Sequence, residues 1–157
     1  MSLVRILVDG YSLLHNWPQL ARGKPRHSAA AREALIKRLT QYQDASGTPI
    51  TIIFDGSGEA VGTDTAVKGS EVEVLYSRAG QTADELIERA AHRFQAYGEV
   101  LAVTDDHAER ETVLSVGGSA SSCWNFIQTV EGALTEFADE LKDHNRRERH
   151  RYHRRRR

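Results

Sequence analysis

Five acidic side chains in this 157-residue chain stand where chemistry could use them: Asp9, Asp55, Asp84, Asp105 and Asp106. Asp9 and Asp55 each end an apolar run and are each followed by glycine. Asp105-Asp106 follows a third such run, and Asp84 opens a helical stretch. Carboxylates brought to one edge of a sheet repel one another and resist ionisation together. A bound cation is the usual remedy. No convincing His or Cys ligand spacing accompanies them, so the oxygen-rich set points to Mg²⁺ or Mn²⁺ rather than to zinc. Such ions activate water and neutralise charge building on a phosphodiester. That chemistry needs neither a Ser nucleophile nor a His base, and it fits hydrolysis of a nucleic acid.

The positioning elements read as alternating strands and helices. Leu3, Val4, Ile6, Leu7 and Val8 form an apolar, β-branched run broken only by Arg5, as expected of a parallel strand buried on both faces. Asp9 then lies beyond a carboxyl end, where open α/β sheets place their ligand crevice, and Gly10 permits a sharp turn. Asp9-Gly10 is equally the sequence of an ordinary strand-ending turn. Tyr11 to Pro25 reads as a turn and an irregular segment, because Trp17-Pro18 and Gly23-Lys-Pro25 interrupt regular helix. Trp17 is expected to cover a core edge, and His15 lacks a partner at ligand spacing. Ser28 caps a helix to about Ala45, ended by Ser46-Gly47.

Ile50 to Phe54 is the second strand, and 56–69 reads as a long surface loop near the crevice. Glu71 to Tyr76 suits an edge strand whose carboxylates face solvent. Thr82-Ala-Asp-Glu85 has the spacing of a capping box, which gives Glu85 a structural job and leaves Asp84 available. That helix runs to Gly98. A fourth strand spans Glu99 to Val103, and Asp106 is placed to begin a helix over His107 to Leu114. Ser119 or Ser122 then caps a long final helix containing Trp124, Phe126, Ile127, Val130, Leu134, Phe137 and Leu141. With right-handed crossovers this pattern predicts a three-layer α/β/α sandwich around a mainly parallel sheet.

Other classes lack their signatures. There is no P-loop, no dinucleotide fingerprint after the first strand and no nucleophile elbow. Phosphatases with a strand-end Asp nucleophile generally need a second Asp two residues on, where this chain has Tyr11. The single cysteine, Cys123, allows no internal disulfide and fits a reducing, cytoplasmic setting as a packing residue. No apolar run approaches the length that crosses a bilayer, and the chain starts directly with a strand instead of a signal peptide. Charge is unevenly placed: residues 1–145 carry a net −8 and residues 146–157 a net +7. The expected organisation is therefore a domain over 1–145 and an Arg-rich tail over 146–157. That tail reads either as a phosphate-backbone contact or as a solvated end.

Val8-Asp-Gly-Tyr-Ser12, Phe54-Asp55, Gln81-Thr-Ala-Asp-Glu85 and Val103-Thr-Asp-Asp106, in that order, resemble the YacP-like NYN family of PIN-like ribonucleases. The likeness spans Ile6 to about Leu141. It implies a PIN-like (NYN) fold and metal-dependent endoribonuclease activity on RNA, with ribosome-bound mRNA as the substrate in one branch. By resemblance, Asp9 and Asp84 are the leading metal ligands and catalytic residues, and Asp106 or Asp105 completes the set. Ser12, Asp55 and Glu85 are supporting or substrate-binding candidates. The family usually has Asn at the position of Ser12. A different class also fits Ser12 and the Arg run, namely an RNA- or ribosome-binding module with weak or no cleavage.

Overall fold

The computed structural model describes residues 3–25, 27–56, 72–78 and 81–155. The expected loop over 56–69, apart from Gly56, and Glu71 lie outside the described residues. The strands are β1 (Leu3–Asp9), β2 (Ile50–Phe54), β3 (Glu73–Tyr76), β4 (Glu99–Val103) and β5 (Ser119–Ser121). They form one sheet in the order β3-β2-β1-β4-β5, and every pairing is parallel. Helices α1 (Gly10–His15), α2 (Ala29–Ser46), α3 (Ala83–Phe94), α4 (His107–Ser115) and α5 (Cys123–Arg155) cover its two faces.

Successive strand side chains point to opposite faces, and here both faces are apolar. Ile6, Val8, Ile50, Ile52 and Phe54 join Leu13 and Leu14 of α1, Leu35 and Leu39 of α2, and Phe126, Ile127 and Val130 of α5. Leu7, Ile53, Val100 and Ala102 join Ala83, Ile87 and Ala91 of α3 and Val113 of α4. The expected three layers are thus present. Trp17 is fully buried, as a core-edge aromatic should be, and its Nε1 donates to Glu131 Oε1 of α5 at 3.0 Å. Arg5 crosses the second face, donating to Thr51 Oγ1 at 2.9 Å with its guanidinium 4.5 Å from the Phe94 ring centre.

Two elements differ from the sequence reading. The segment after Asp9 is helical from Gly10 to His15 instead of a turn, because the Asp9 side chain accepts from the Ser12 amide and starts the helix. Gly10 is required for close approach: a Cβ there would run into the Phe54 ring. The second is β5. Ser119-Ala-Ser121 has no β-branched or aromatic residue to announce a strand, but it pairs with Leu101 to Val103 at the sheet edge. The final helix is capped by Ser122, whose Oγ accepts from Asn125 N at 3.1 Å. It continues without interruption to Arg155, so the Arg-rich segment forms its distal end. At ~1.5 Å per residue, α5 is about 50 Å long.

Candidate active site

The sheet order fixes the location. The chain moves from β1 outward through β2 to β3, then returns to pair β4 on the other side of β1. Strand order reverses between β1 and β4, and ligands of open α/β sheets bind beyond the carboxyl ends at such a point. Asp9 ends β1, and Asp105 and Asp106 follow β4. Asp84 arrives from the first turn of α3.

Asp9, Ser12, Asp55 and Asp84 line one cleft of about 480 Å³, with Tyr11, His15, His27 and Thr82. Burial pushes the Asp9 carboxyl up to about 6 from an ordinary 3.8; the Ser12 amide opposes this, and Asp84, Asp106 and Asp55 reinforce it by repulsion. The Asp84 carboxyl is also raised, by burial first and then by Asp106, Asp55 and Glu85. The two shifts describe one concentration of negative charge fed from several segments.

Carboxylate oxygens of Asp84, Asp106 and Glu109 lie within 4.8 Å of one another. Glu109 was not among the residues the sequence singled out. It is only 4 % exposed, and neither side-chain oxygen has a hydrogen-bond partner among the described residues. Burying an ionised carboxylate without a compensating charge or hydrogen bond is strongly unfavourable. The site therefore fits a hard divalent cation on two independent grounds, an all-oxygen donor set and an orphaned buried carboxylate.

The remaining residues have definite partners. Asp106 is the N-cap of α4, where its Oδ1 accepts from Ala108 N at 2.9 Å and Glu109 N at 3.2 Å. Both cap bonds fall on Oδ1, so Oδ2 takes no part in the cap. Asp105 is turned differently. Its Oδ1 accepts from Cys123 N at 3.0 Å and Arg110 at 3.3 Å, and its Oδ2 accepts from Asn16 at 2.9 Å. Asp55 accepts from the buried Ser77 hydroxyl at 3.0 Å. Glu85 donates its amide to Thr82 Oγ1 at 3.2 Å and sits beside Asp84 without joining the three-carboxylate cluster. The Ser12 hydroxyl lies 3.5 Å from Cys123 Sγ. Burial pushes that thiol up to about 11, which suits packing and leaves it a poor nucleophile.

An all-parallel sandwich with a carboxylate crevice at its switch point is the arrangement of a PIN-like, nuclease-type domain. The comparisons agree. Residues 6–156 match the YacP-like NYN domain, and the chain belongs to that family. It is 29% identical over 127 residues to the uncharacterized protein YacP of Bacillus subtilis (strain 168), covering 80% of this chain and 74% of that protein. The crystal structure of Rae1 (YacP) from Bacillus subtilis superposes with a TM-score of 0.74 at 25% identity, covering 94% of this chain and 84% of that one. Its W164L mutant gives 0.72 at 25% identity, over 88% and 81%. No described helix is long and apolar enough to cross a membrane.

Proposed function

We propose that this chain is a divalent-cation-dependent endoribonuclease, a hydrolase of RNA phosphodiester bonds. The observation that carries the reading is the meeting of Asp84, Asp106 and the unpartnered, buried Glu109 within 4.8 Å at the crevice that Asp9 also lines. Asp9, Asp84 and Asp106 are assigned as the catalytic, cation-holding carboxylates, with Glu109 as a further ligand. A Mg²⁺ or Mn²⁺ ion held there would supply charge neutralisation at the reacting phosphodiester and acidification of water. The residues themselves set the location: Asp9 is fixed by the Ser12 amide, and Asp106 by the start of α4. Asp105 is assigned a positioning role, since its oxygens already engage Asn16, Arg110 and Cys123. Asp55 and Ser12 line the cleft as substrate-side groups. RNA engaged on the ribosome, in the cytoplasm, is the proposed setting.

The test is cleavage of single-stranded and structured RNA by purified protein with Mn²⁺, Mg²⁺ or chelator. Asp9→Asn and Asp84→Asn are expected to lower the cleavage rate at least about 100-fold while the thermal transition stays cooperative. Unchanged rates in both variants would remove this mechanism. A second reading, an RNA- or ribosome-binding module with little cleavage, draws on the Ser12 hydroxyl standing next to Cys123. RNA binding without cleavage under every metal condition would favour it.

A further inference from the structure

The acidic cleft does not end at its carboxylates. It shares His15 and His27 with a neighbouring cavity of about 520 Å³, which is also lined by Arg22 and Lys24. That cavity shares Lys24 with a third, of about 440 Å³, where Lys37 and Arg38 of α2 outnumber the single carboxylate of Glu33. The three adjoin through these shared walls, in a row over α1, the turn that follows it and α2. Charge changes sign along this row, from three Asp side chains at the crevice to Arg and Lys farther out. Among the described residues, no acidic side chain lines the middle section.

At the junction stands a ring pair. Tyr11 and His27 have centroids 4.3 Å apart, tilted by 48°. Tyr11 is held from behind by Phe54, at 5.0 Å, and by Arg32, whose guanidinium lies 3.2 Å from the phenol oxygen. His27 is exposed on the cleft side. A fixed ring beside an electropositive track is the combination that binds single strands, since bases stack on the ring and phosphates follow the charges.

We propose that these cavities form a groove, the path of a single-stranded RNA segment flanking the scissile phosphate, with a base stacked at His27 and phosphates on Arg22, Lys24 and Lys37. The assignment rests on the RNA-directed reading of the site, and it commits to an unpaired strand because a base must leave its helix to lie on the ring. The carboxylate end repels phosphates unless a cation is present, whereas the basic section attracts them without one. Binding along the track is therefore separable from cleavage.

The experiment uses the full chain with a labelled uridine 20-mer in chelator, read by anisotropy over a series of salt concentrations, and cleavage in Mn²⁺ as a separate measurement. The Arg22→Ala/Lys24→Ala double variant should weaken binding and flatten the log–log salt dependence by about 1.4, at about 0.7 per lost phosphate contact. His27→Ala should weaken binding about tenfold with the salt slope unchanged, and His27→Phe should restore it. Wild-type affinity and slope in the double variant would overturn the groove, even if the protein cleaves RNA normally. Groove-dependent binding by a protein that never cleaves would keep the groove and remove the endoribonuclease. Equal binding of poly-glutamate, lost in parallel with RNA, would overturn RNA as the occupant.

Discussion

The side-chain amide of Asn16 donates to Oδ2 of Asp105 at 2.9 Å, tying the end of α1 to the loop after β4. Its other bonds to Arg110 and the Cys123 amide make Asp105 a junction of α1, α4 and α5. Adjacent aspartates thus have different surroundings: Asp105 ties three helices together, whereas Asp106 caps α4 and meets Asp84 and Glu109.

This division predicts opposite outcomes for the same chemical change. Asp105→Asn puts an amide donor opposite the Asn16 amide and should cost about 1–2 kcal/mol. The melting temperature would then fall by roughly 3–6 °C, with Mn²⁺ affinity changed only a few-fold. Asp106→Asn keeps a good N-cap and should leave stability within about 0.5 kcal/mol. It removes a proposed cation ligand, so Mn²⁺ affinity should drop at least about tenfold by titration calorimetry. The reverse pattern would exchange the two roles.

Glu109→Gln replaces a buried carboxyl whose oxygens have no hydrogen-bond partner among the described residues. In chelator the variant should melt about 2–4 °C above wild type, equivalent to roughly 1 kcal/mol of relieved repulsion. Mn²⁺ should raise the wild-type midpoint and leave that of the variant nearly unmoved. A lower midpoint in chelator would mean that Glu109 makes a stabilising contact instead.

Asp9 gives the metal-free protein a pH signature. Its carboxyl titrates near 6 when folded and near 3.8 as an ordinary side chain, so the native state holds the extra proton between those values. Stability from this group is greatest below about pH 4 and declines as pH rises to about 6, by up to about 3 kcal/mol. Urea midpoints from pH 4 to 7 should show the decline in wild type relative to Asp9→Asn. Mn²⁺ should flatten it. A difference that stays constant across the range would contradict the burial of this carboxyl.

Gly10→Ala should destabilise the fold by about 1–3 kcal/mol, because the new methyl meets the Phe54 ring. Phe54→Leu should recover part of that loss. The coupling in a double-mutant cycle measures how tightly the start of α1, and with it Asp9, is pressed onto β2. Additive losses would mean that the ring does not set the spacing.

Removing residues 146–157 should leave the melting curve unchanged, since the described side chains there are exposed. If the Arg-rich end of α5 contacts phosphates, RNA affinity and its salt slope will fall together. Equal slopes before and after truncation would leave it a solvated helix end.

Much of this was legible in the residues because a parallel strand is apolar on both faces and stops at a polar turn. β1, β2 and β4 each announced themselves in that way and brought Asp9, Asp55 and Asp105-Asp106 as their punctuation. Helix α1 was hidden behind Trp17-Pro18, and β5 behind three small residues whose pairing is set by β4 and not by their own propensity. Glu109 was hidden by its company. His107-Ala-Glu-Arg-Glu111 reads as a charged, solvated helix, and only packing against the sheet buries one of its carboxylates. A signal was available: Asp106 and Glu109 repeat the three-residue spacing of Thr82 and Glu85, which places an acidic side chain over the helix start.

The bond from the Cys123 amide to Asp105 also bears on the order in which the crevice is completed as the chain is made. Asp9, Asp84 and the neighbouring Asp106 and Glu109 come from distant parts of the chain, and one contact that fastens their loop waits for the first turn of α5. A partly synthesised polypeptide ending before that turn carries the acidic groups without one of the three bonds that seat their loop. Completion of the crevice thus waits for the last helix, and the endoribonuclease proposed for this chain would be assembled only at the end of synthesis.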